Sequence, residues 1–552
     1  MHLDITEHLA RALREALTRA GLPSPESVAW EIPRDERHGD YATNAALALA
    51  RPARKAPKAI AEAIAANFPP TPAVERVEVA GPGFLNVFLR PEWCREALRQ
   101  ILRAGAAYGT SAAESGARYL LEFVSANPTG PLVIVNARAA AVGDALARIL
   151  RAQGAAVTTQ YYVNDAGNQF QALAASFEVR LRQALGEDAP MPAEGYPGEY
   201  LVDLAREYLE RDEAGARAAL GLPEPARRER LGRYAVREMV REQRRVLEQY
   251  GTSFDRWVHE ADDVRAAGLP ERAIEALAAA GYTFEQDGAL WFRSPDLGDD
   301  KDRVLRKSDG DLTYFAVDVG FHHFQKFAGA DRVVDFLGPD HHGYVGRIRA
   351  AMEALGHPRE RFDVIIVQLV TLLRDGQPVR MSKRRGEFVL MEELLEEVGK
   401  DAARFTFLTR RHDSPLDFDL GLATRQSADN PVFYVQYCHA RVASLLRTAE
   451  LELPPWDAVD LSALALPEEM QLVKRLLQYP DLVAGAARAK EPHRVAFYLT
   501  ELAGVFHPYY KAHRIITADR GATVGRLALC AAVAQVVRNG LDLLGVSAPE
   551  SM

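Results

Sequence analysis

The residues whose types and spacing could do chemistry fall in three places. Asn127-Pro128-Thr129-Gly130-Pro131 forbids both helix and strand, so the chain must turn there. Arg380-Met381-Ser382-Lys383-Arg384 is a short basic run whose chemistry would be phosphate binding, although such a run is commonly just a solvated turn. Between them, Tyr314 and Asp318 stand four residues apart, one helical turn, on the same face. Gly81-Pro82-Gly83 invites comparison with a phosphate loop, but no helix follows it, and a hairpin turn is the better reading.

The elements that must position these residues can be read around them. Tyr119-Leu120-Leu121-Glu122-Phe123-Val124 has the length and composition of a buried strand. From Ala137 the text becomes Ala-rich, with Ala141, Ala145, Leu146 and Ile149 at helical spacing and Asn136 at the N-cap position. Strand, tight turn and helix start together make an anion-binding corner. VTTQYYVNDAGNQ supplies a second strand and turn. Further on, RVVDFLGPDHHGY and FDVIIVQLVTLL are strands separated by a helix, so alternating strands and helices predict a doubly wound parallel sheet. Residues 170 to about 285 are charged and mostly helical, and from about 425 the periodicity predicts an antiparallel helical bundle.

EFVSANPTGPL followed by ARAAAVGDALARIL resembles the first signature region of class I aminoacyl-tRNA synthetases, and specifically the arginyl-tRNA synthetase family. The four positions of that family's HIGH tetrapeptide read Val133-Ile134-Val135-Asn136 here, with neither histidine and no glycine. Arg380 to Arg384 resembles the second signature, KMSKS, and DAARFTFLTRRHDSPLDFDL beyond it follows the family. HGDYATN and GPGFLNVFL are similar to its added N-terminal domain, which contacts the tRNA elbow, and the terminal helices resemble its anticodon-binding domain.

The resemblance implies an α/β multidomain chain. Residues 1–110 would be the N-terminal domain, and 111–169 with 286–375 the Rossmann-type parallel-sheet catalytic domain of class I. A helical insertion would span 170–285, the MSKR loop and stem-contact region 376–424, and the all-α anticodon-binding bundle 425–552. It also implies ATP-dependent attachment of L-arginine to tRNA-Arg through an arginyl-adenylate, with Mg²⁺ accompanying ATP. On this resemblance Glu122, Asn127, Tyr314, Asp318 and His341 surround arginine. Pro128, Gly130, Asn136, Arg138, Gly338, Asp340, Met381, Ser382 and Lys383 meet ATP, and Lys383 is the main catalytic group, supported by Arg380 and Arg384. Asn136 carries two readings, a hydrogen-bond donor to ATP and a plain helix cap. Lys511 and Arg514 are the candidate tRNA contacts, each also explicable as a solvated face.

Composition sets outer limits. Hydrophobic content of 48% and charged content of 26% describe an ordinary globular chain, long enough for several cores. A net charge of -9 means that any nucleic acid must be met by local basic patches. Cys94, Cys438 and Cys530 are scattered, so neither a disulfide framework nor zinc is expected. No continuous apolar run of about 18 residues occurs, and the start of the chain reads as a charged helix, so the expectation is a cytoplasmic monomer without a membrane span. The missing HIGH histidines motivate one rival reading, a catalytically weakened synthetase paralogue acting as an RNA-binding or regulatory protein. A second rival is an adenylate-forming enzyme with a non-tRNA acceptor. Survival of Lys383, the arginine set and both tRNA-facing domains disfavours both.

Overall fold

A computed structural model of the chain describes residues 5–25, 28–33, 35–379, 389–449 and 454–552. Its centre is a five-stranded, all-parallel sheet in the order Phe362–Ile366, Arg332–Leu337, Arg118–Glu122, Ala156–Val163, Arg256–His259. Side chains alternate across the central strand. Leu121 and Phe123 face the core that holds helix Ile134–Ala152, whereas Leu120 joins Phe315, Ala316 and Val319 on the other face. Covering helices on both faces make the sheet doubly wound, as the alternation of strands and helices predicts.

The central strand stops at Glu122 rather than Val124, because Val124 and Ser125 take φ of 70° and 37°. Ser125 N–H donates to Phe123 O at 3.0 Å, closing a γ-turn about Val124. Helix Ile134–Ala152 starts three residues earlier than Ala137, with Val133 as N-cap, so Asn136 is its third residue. The small residues of this helix allow a close approach to the sheet. At Gly143 a Cβ would fall 2.3 Å from the Phe123 ring.

The segment read as a helical insertion is more varied than its charge pattern suggests. Helices Gly167–Ala184, Glu199–Leu220 and Glu224–Gln249 pack together, with Tyr208 and Tyr234 stacked at 3.8 Å. Within 170–285, however, lie the edge strand Arg256–His259 and helix Leu269–Ala279. Residues 283–306 form a separate antiparallel sheet, after which the nucleotide fold continues at helix Tyr314–Phe321. The edge strand was hidden because four residues, RWVH, give no periodicity.

Near the N-terminus, strands Tyr41–Thr43, Phe84–Leu89 and Val74–Ala80 make an antiparallel sheet, and Gly81-Pro82-Gly83 is its hairpin turn. Five helices, Pro431–Thr448, Pro467–Leu477, Tyr479–Ala489, His493–Ala512 and Arg520–Leu543, build the C-terminal bundle. Helix Arg520–Leu543 is long and apolar enough to cross a membrane, and 67% of its most apolar window is buried within the protein. Arg404, fully buried, ties the regions together. Its guanidinium donates to Leu544 O at 3.0 Å, Tyr250 O at 3.3 Å and Thr252 Oγ1 at 3.1 Å, and pairs with Asp144.

Candidate active site

The sheet order places a topological switch between strands Arg118–Glu122 and Arg332–Leu337, and ligands of such sheets bind at the carboxyl ends beside the switch. The turn 126–131 crosses this edge and is braced from the insertion. Gln243 Nε2 donates to Asn127 O at 3.1 Å and Gly130 O at 2.9 Å, and Tyr161 donates to Gln243 Oε1 at 2.8 Å. The Tyr200 hydroxyl donates to Thr129 O. Pro128 is buried beneath the turn, and Asn127 is exposed, with its Oδ1 3.4 Å from Asn164 Nδ2. A β-branched residue at positive φ costs about 1–3 kcal/mol, held here by these braces.

Behind the turn, Asn136 Oδ1 accepts the Val133 N–H at 2.9 Å, satisfying the N-cap donor. Its Nδ2 has no partner among the described residues. The helix start is also tied to the far end of the basic segment. Ile134 N–H donates to Val389 O at 3.1 Å, Met391 N–H to Leu132 O at 2.9 Å, and Val133 bridges Leu390. Arg380, Met381, Ser382, Lys383 and Arg384 themselves lie outside the described residues. Arg138 is placed differently from the expectation of an ATP contact. It is fully buried, and its guanidinium donates to the carbonyls of Gln368, Leu369, Arg411 and Ser414 at 2.8–3.3 Å. Burial brings its pKa down to about 10.

On the opposite face of the sheet lies a buried acidic cluster. Glu122, Asp335 and Gln160 are in register on adjacent strands, so their side chains share one face. Gln160 Nε2 donates to Glu122 Oε2 at 2.9 Å. Asp318 comes from helix Tyr314–Phe321, whose N-cap Thr313 accepts Ala316 N–H, and its carboxylate receives the Tyr344 hydroxyl. Burial raises the pKa of Asp318, against the opposing influence of His322, Tyr344 and Lys326. Burial likewise raises Glu122, with Lys326 opposing. Asp318, then burial, pushes the Tyr314 phenol up. Tyr314 is half exposed, at 51%, and forms an open wall of the cluster. A cation with planar donors, entering past Tyr314, would favour the ionised form of both carboxylates.

The structure thus brings together Glu122, Tyr314 and Asp318, and sets Asn127 at the rim. Gly338 caps the short helix Pro339–Tyr344, whose Asp340 and His341 are exposed and 3.5 Å apart. His341 is therefore not part of the buried cluster. Sequence reasoning missed Tyr344, Lys326, His322 and Asp335. The readable signal was a lysine and histidine inside the apolar text FHHFQKF. Lys511 and Arg514 are exposed and make no ion pair among the described residues.

Known families match the chain in three consecutive stretches. Residues 4–89 match the arginyl tRNA synthetase N terminal domain, 97–413 the catalytic domain of tRNA synthetases class I (R), and 435–552 the DALR anticodon binding domain. The chain belongs to the arginyl-tRNA synthetase family. It is 44% identical to an arginine–tRNA ligase of Desulforamulus reducens, with 100% of this chain and 99% of the relative covered. Against the arginine–tRNA ligase of Desulfovibrio desulfuricans the identity is 46%, covering 99% of each. The arginyl-tRNA synthetase structure from Thermus thermophilus superposes with a TM-score of 0.77 at 26% identity, covering 99% of this chain and all of that one. Family membership thus extends over a first signature that has lost both histidines.

Proposed function

We propose that the chain activates L-arginine with ATP and joins it to tRNA-Arg, with arginyl-adenylate between the two steps. The end-to-end match to arginine–tRNA ligases carries this reading. In the first step an oxygen of the arginine carboxylate attacks the α-phosphorus and pyrophosphate leaves. In the second, the terminal ribose hydroxyl of tRNA attacks the adenylate carbonyl and AMP leaves. Neither step needs a covalent enzyme intermediate, so catalysis is positioning plus electrostatic stabilisation.

Asp318 and Tyr314 take the guanidinium end, with Tyr344 orienting the Asp318 carboxylate. Glu122 and Asn127 take the α-amino end. His341 is left outside this pocket. ATP lies along Pro128, Gly130 and the start of helix Ile134–Ala152, with Gly338 and Asp340 toward the adenosine and Met381 and Ser382 toward the phosphates. Asn136 offers its unspent Nδ2, because Oδ1 is already committed to the helix cap. Lys383, with Arg380 and Arg384, stabilises the pentacoordinate phosphorus and the leaving pyrophosphate. Arg138 acts one layer back, fixing the carbonyls that hold residues 368–369 against 411–414. Mg²⁺ would accompany ATP and offset the charge of its phosphates. Among the described residues no group of three or more His, Cys, Asp or Glu is arranged for a metal.

The domain limits in this reading are 1–110, 111–169 with 286–375, 376–424 and 425–552, with the helical insertion taken to end at Gln249. Residues 1–110 meet the tRNA elbow, and the bundle from 425 reads the anticodon with Lys511 and Arg514 among its cations. The working form is a cytoplasmic monomer. Asp318→Asn tests the pocket. It is expected to lower kcat/KM for arginine by about 2–5 kcal/mol, the scale for truncating one side of a desolvated charge pair. Unchanged arginine kinetics in that variant would remove Asp318 from the site.

A further inference from the structure

Lys326 is 1% exposed and sits under the acidic cluster, eight residues beyond Asp318. Its Nζ lies 2.8 Å from each oxygen of Asp335 and 3.2 Å from Glu122 Oε2. His322 Nε2 is also near, 3.2 Å from Nζ and 2.7 Å from Asp335 Oδ2. The two carboxylates share one ammonium unequally. Burial pulls Asp335 up, but Lys326 and His322 outweigh it and hold Asp335 at about 2. Glu122 keeps a raised pKa, because the ammonium only partly offsets its burial.

The two oxygens of Glu122 also differ. Oε2 takes both inner contacts, from Gln160 and Lys326, whereas Oε1 has no partner among the described residues. The Glu122 side chain is 13% exposed against 1% for Lys326, so a ligand reaches the carboxylate from the side away from the lysine. Three carboxylates, Glu122, Asp318 and Asp335, thus face one resident ammonium, which leaves room for a ligand carrying more than one cationic group.

We propose that Lys326 is a positioning residue for arginine binding: its ammonium is a resident counter-cation for Glu122 that withdraws onto Asp335 when the substrate's own cation reaches the pocket. The proposal rests on the reading of Glu122 as an arginine ligand. Lysine has a compact, rotatable head that can lean between two carboxylates without moving its stem, which suits a shared and yielding contact. With Asp335 bidentate, the withdrawal costs only the longer of the three contacts. The groups facing Glu122 are Gln160 from one neighbouring strand, Asp335 from the other, Tyr314 from the covering helix, and His322 and Lys326 from the π-helical segment that continues it.

The test is the pH profile of kcat/KM for arginine in tRNA charging by the full-length chain. Without the ammonium, Glu122 protonates earlier as pH falls. Lys326→Met is therefore expected to move the acid limb upward by about one pH unit or more, read below the limb as about a tenfold rise in KM. Saturating arginine at alkaline pH should recover most of kcat. Asp335→Asn should act in the opposite sense, since Lys326 is then left to Glu122 alone. The acid limb moves down, while KM for arginine rises at every pH. If Lys326→Met does not fold, the direction of the Asp335→Asn shift decides. Glu122→Gln separates the two ideas. An unchanged arginine KM there overturns the reading of Glu122 as a ligand. A raised KM there, with the limb unmoved in the other two variants, overturns the role of Lys326 alone.

Discussion

Asn136 shows how one substituted signature position can serve two ends. Its Oδ1 satisfies the Val133 N–H and its Nδ2 remains a donor at the helix start. Asn136→Ala is expected to cost about 1 kcal/mol of stability through the lost cap, and to lower kcat as well through the lost donor. A thermal melt beside single-turnover adenylate formation separates the two, and a stability loss with unchanged kcat would leave Asn136 a cap only. The Val133 and Val135 side chains have no donor to give, so the proposed mechanism assigns phosphate stabilisation chiefly to the charged run Arg380 to Arg384, charge-assisted bonds being about twice as strong as neutral ones. Lys383→Ala should lower kcat by ~10²–10³, the scale of one preorganised donor lost. At the other end of the site, burial raises both Glu122 and Asp318. As pH falls they protonate before ordinary carboxylates do, so arginine kcat/KM should decline from a higher pH than free Asp or Glu would give. Glu122 was legible because it opens the first signature region, and Tyr314 and Asp318 because they stand one helical turn apart at positions the family resemblance assigns to arginine. Lys326 and Asp335 were not, because a buried ion pair leaves no periodic trace in the sequence.

At the level of elements, the corner between strand Arg118–Glu122 and helix Ile134–Ala152 is set by contact as much as by hydrogen bonding. Gly143 lies against the Phe123 ring, where a Cβ would approach to 2.3 Å. Phe123 begins the γ-turn, so any shift there re-aims the turn that carries Asn127 and Gly130. Gly143→Ala should therefore destabilise by about 1–3 kcal/mol, the scale of overpacking. It should also raise KM for ATP, measured by pyrophosphate exchange, and a variant with wild-type melting and exchange would show that the ring simply moves aside. The strand, turn and helix were readable from composition, but the helix start was misplaced by three residues. The reason is physical. Val-Ile-Val favours a strand by propensity, and only the reach of Asn136 back to Val133 and the bridge to Leu390 make it the first turn of a helix.

Over the whole molecule, Arg404 joins helix Met391–Phe407 to the catalytic helix through Asp144, to the end of the insertion through Tyr250 and Thr252, and to the chain beyond the bundle through Leu544. Arg404→Met leaves Asp144 buried with Arg148 as its remaining partner, and should cost about 3–5 kcal/mol, seen as a lower denaturant midpoint. The broad arrangement of domains was visible in the sequence, while this junction was not, since its partners are backbone carbonyls that any residue could supply. On the proposed function the whole chain charges tRNA-Arg although its first signature holds neither histidine. The most direct measurement is aminoacylation of tRNA-Arg by the full-length protein with labelled arginine, and with labelled lysine in parallel. Incorporation of arginine is expected to require tRNA and ATP and to run at a kcat within the common enzyme range of about 1–10³ s⁻¹, with lysine at background. No incorporation above background, or equal incorporation of both amino acids, would contradict it.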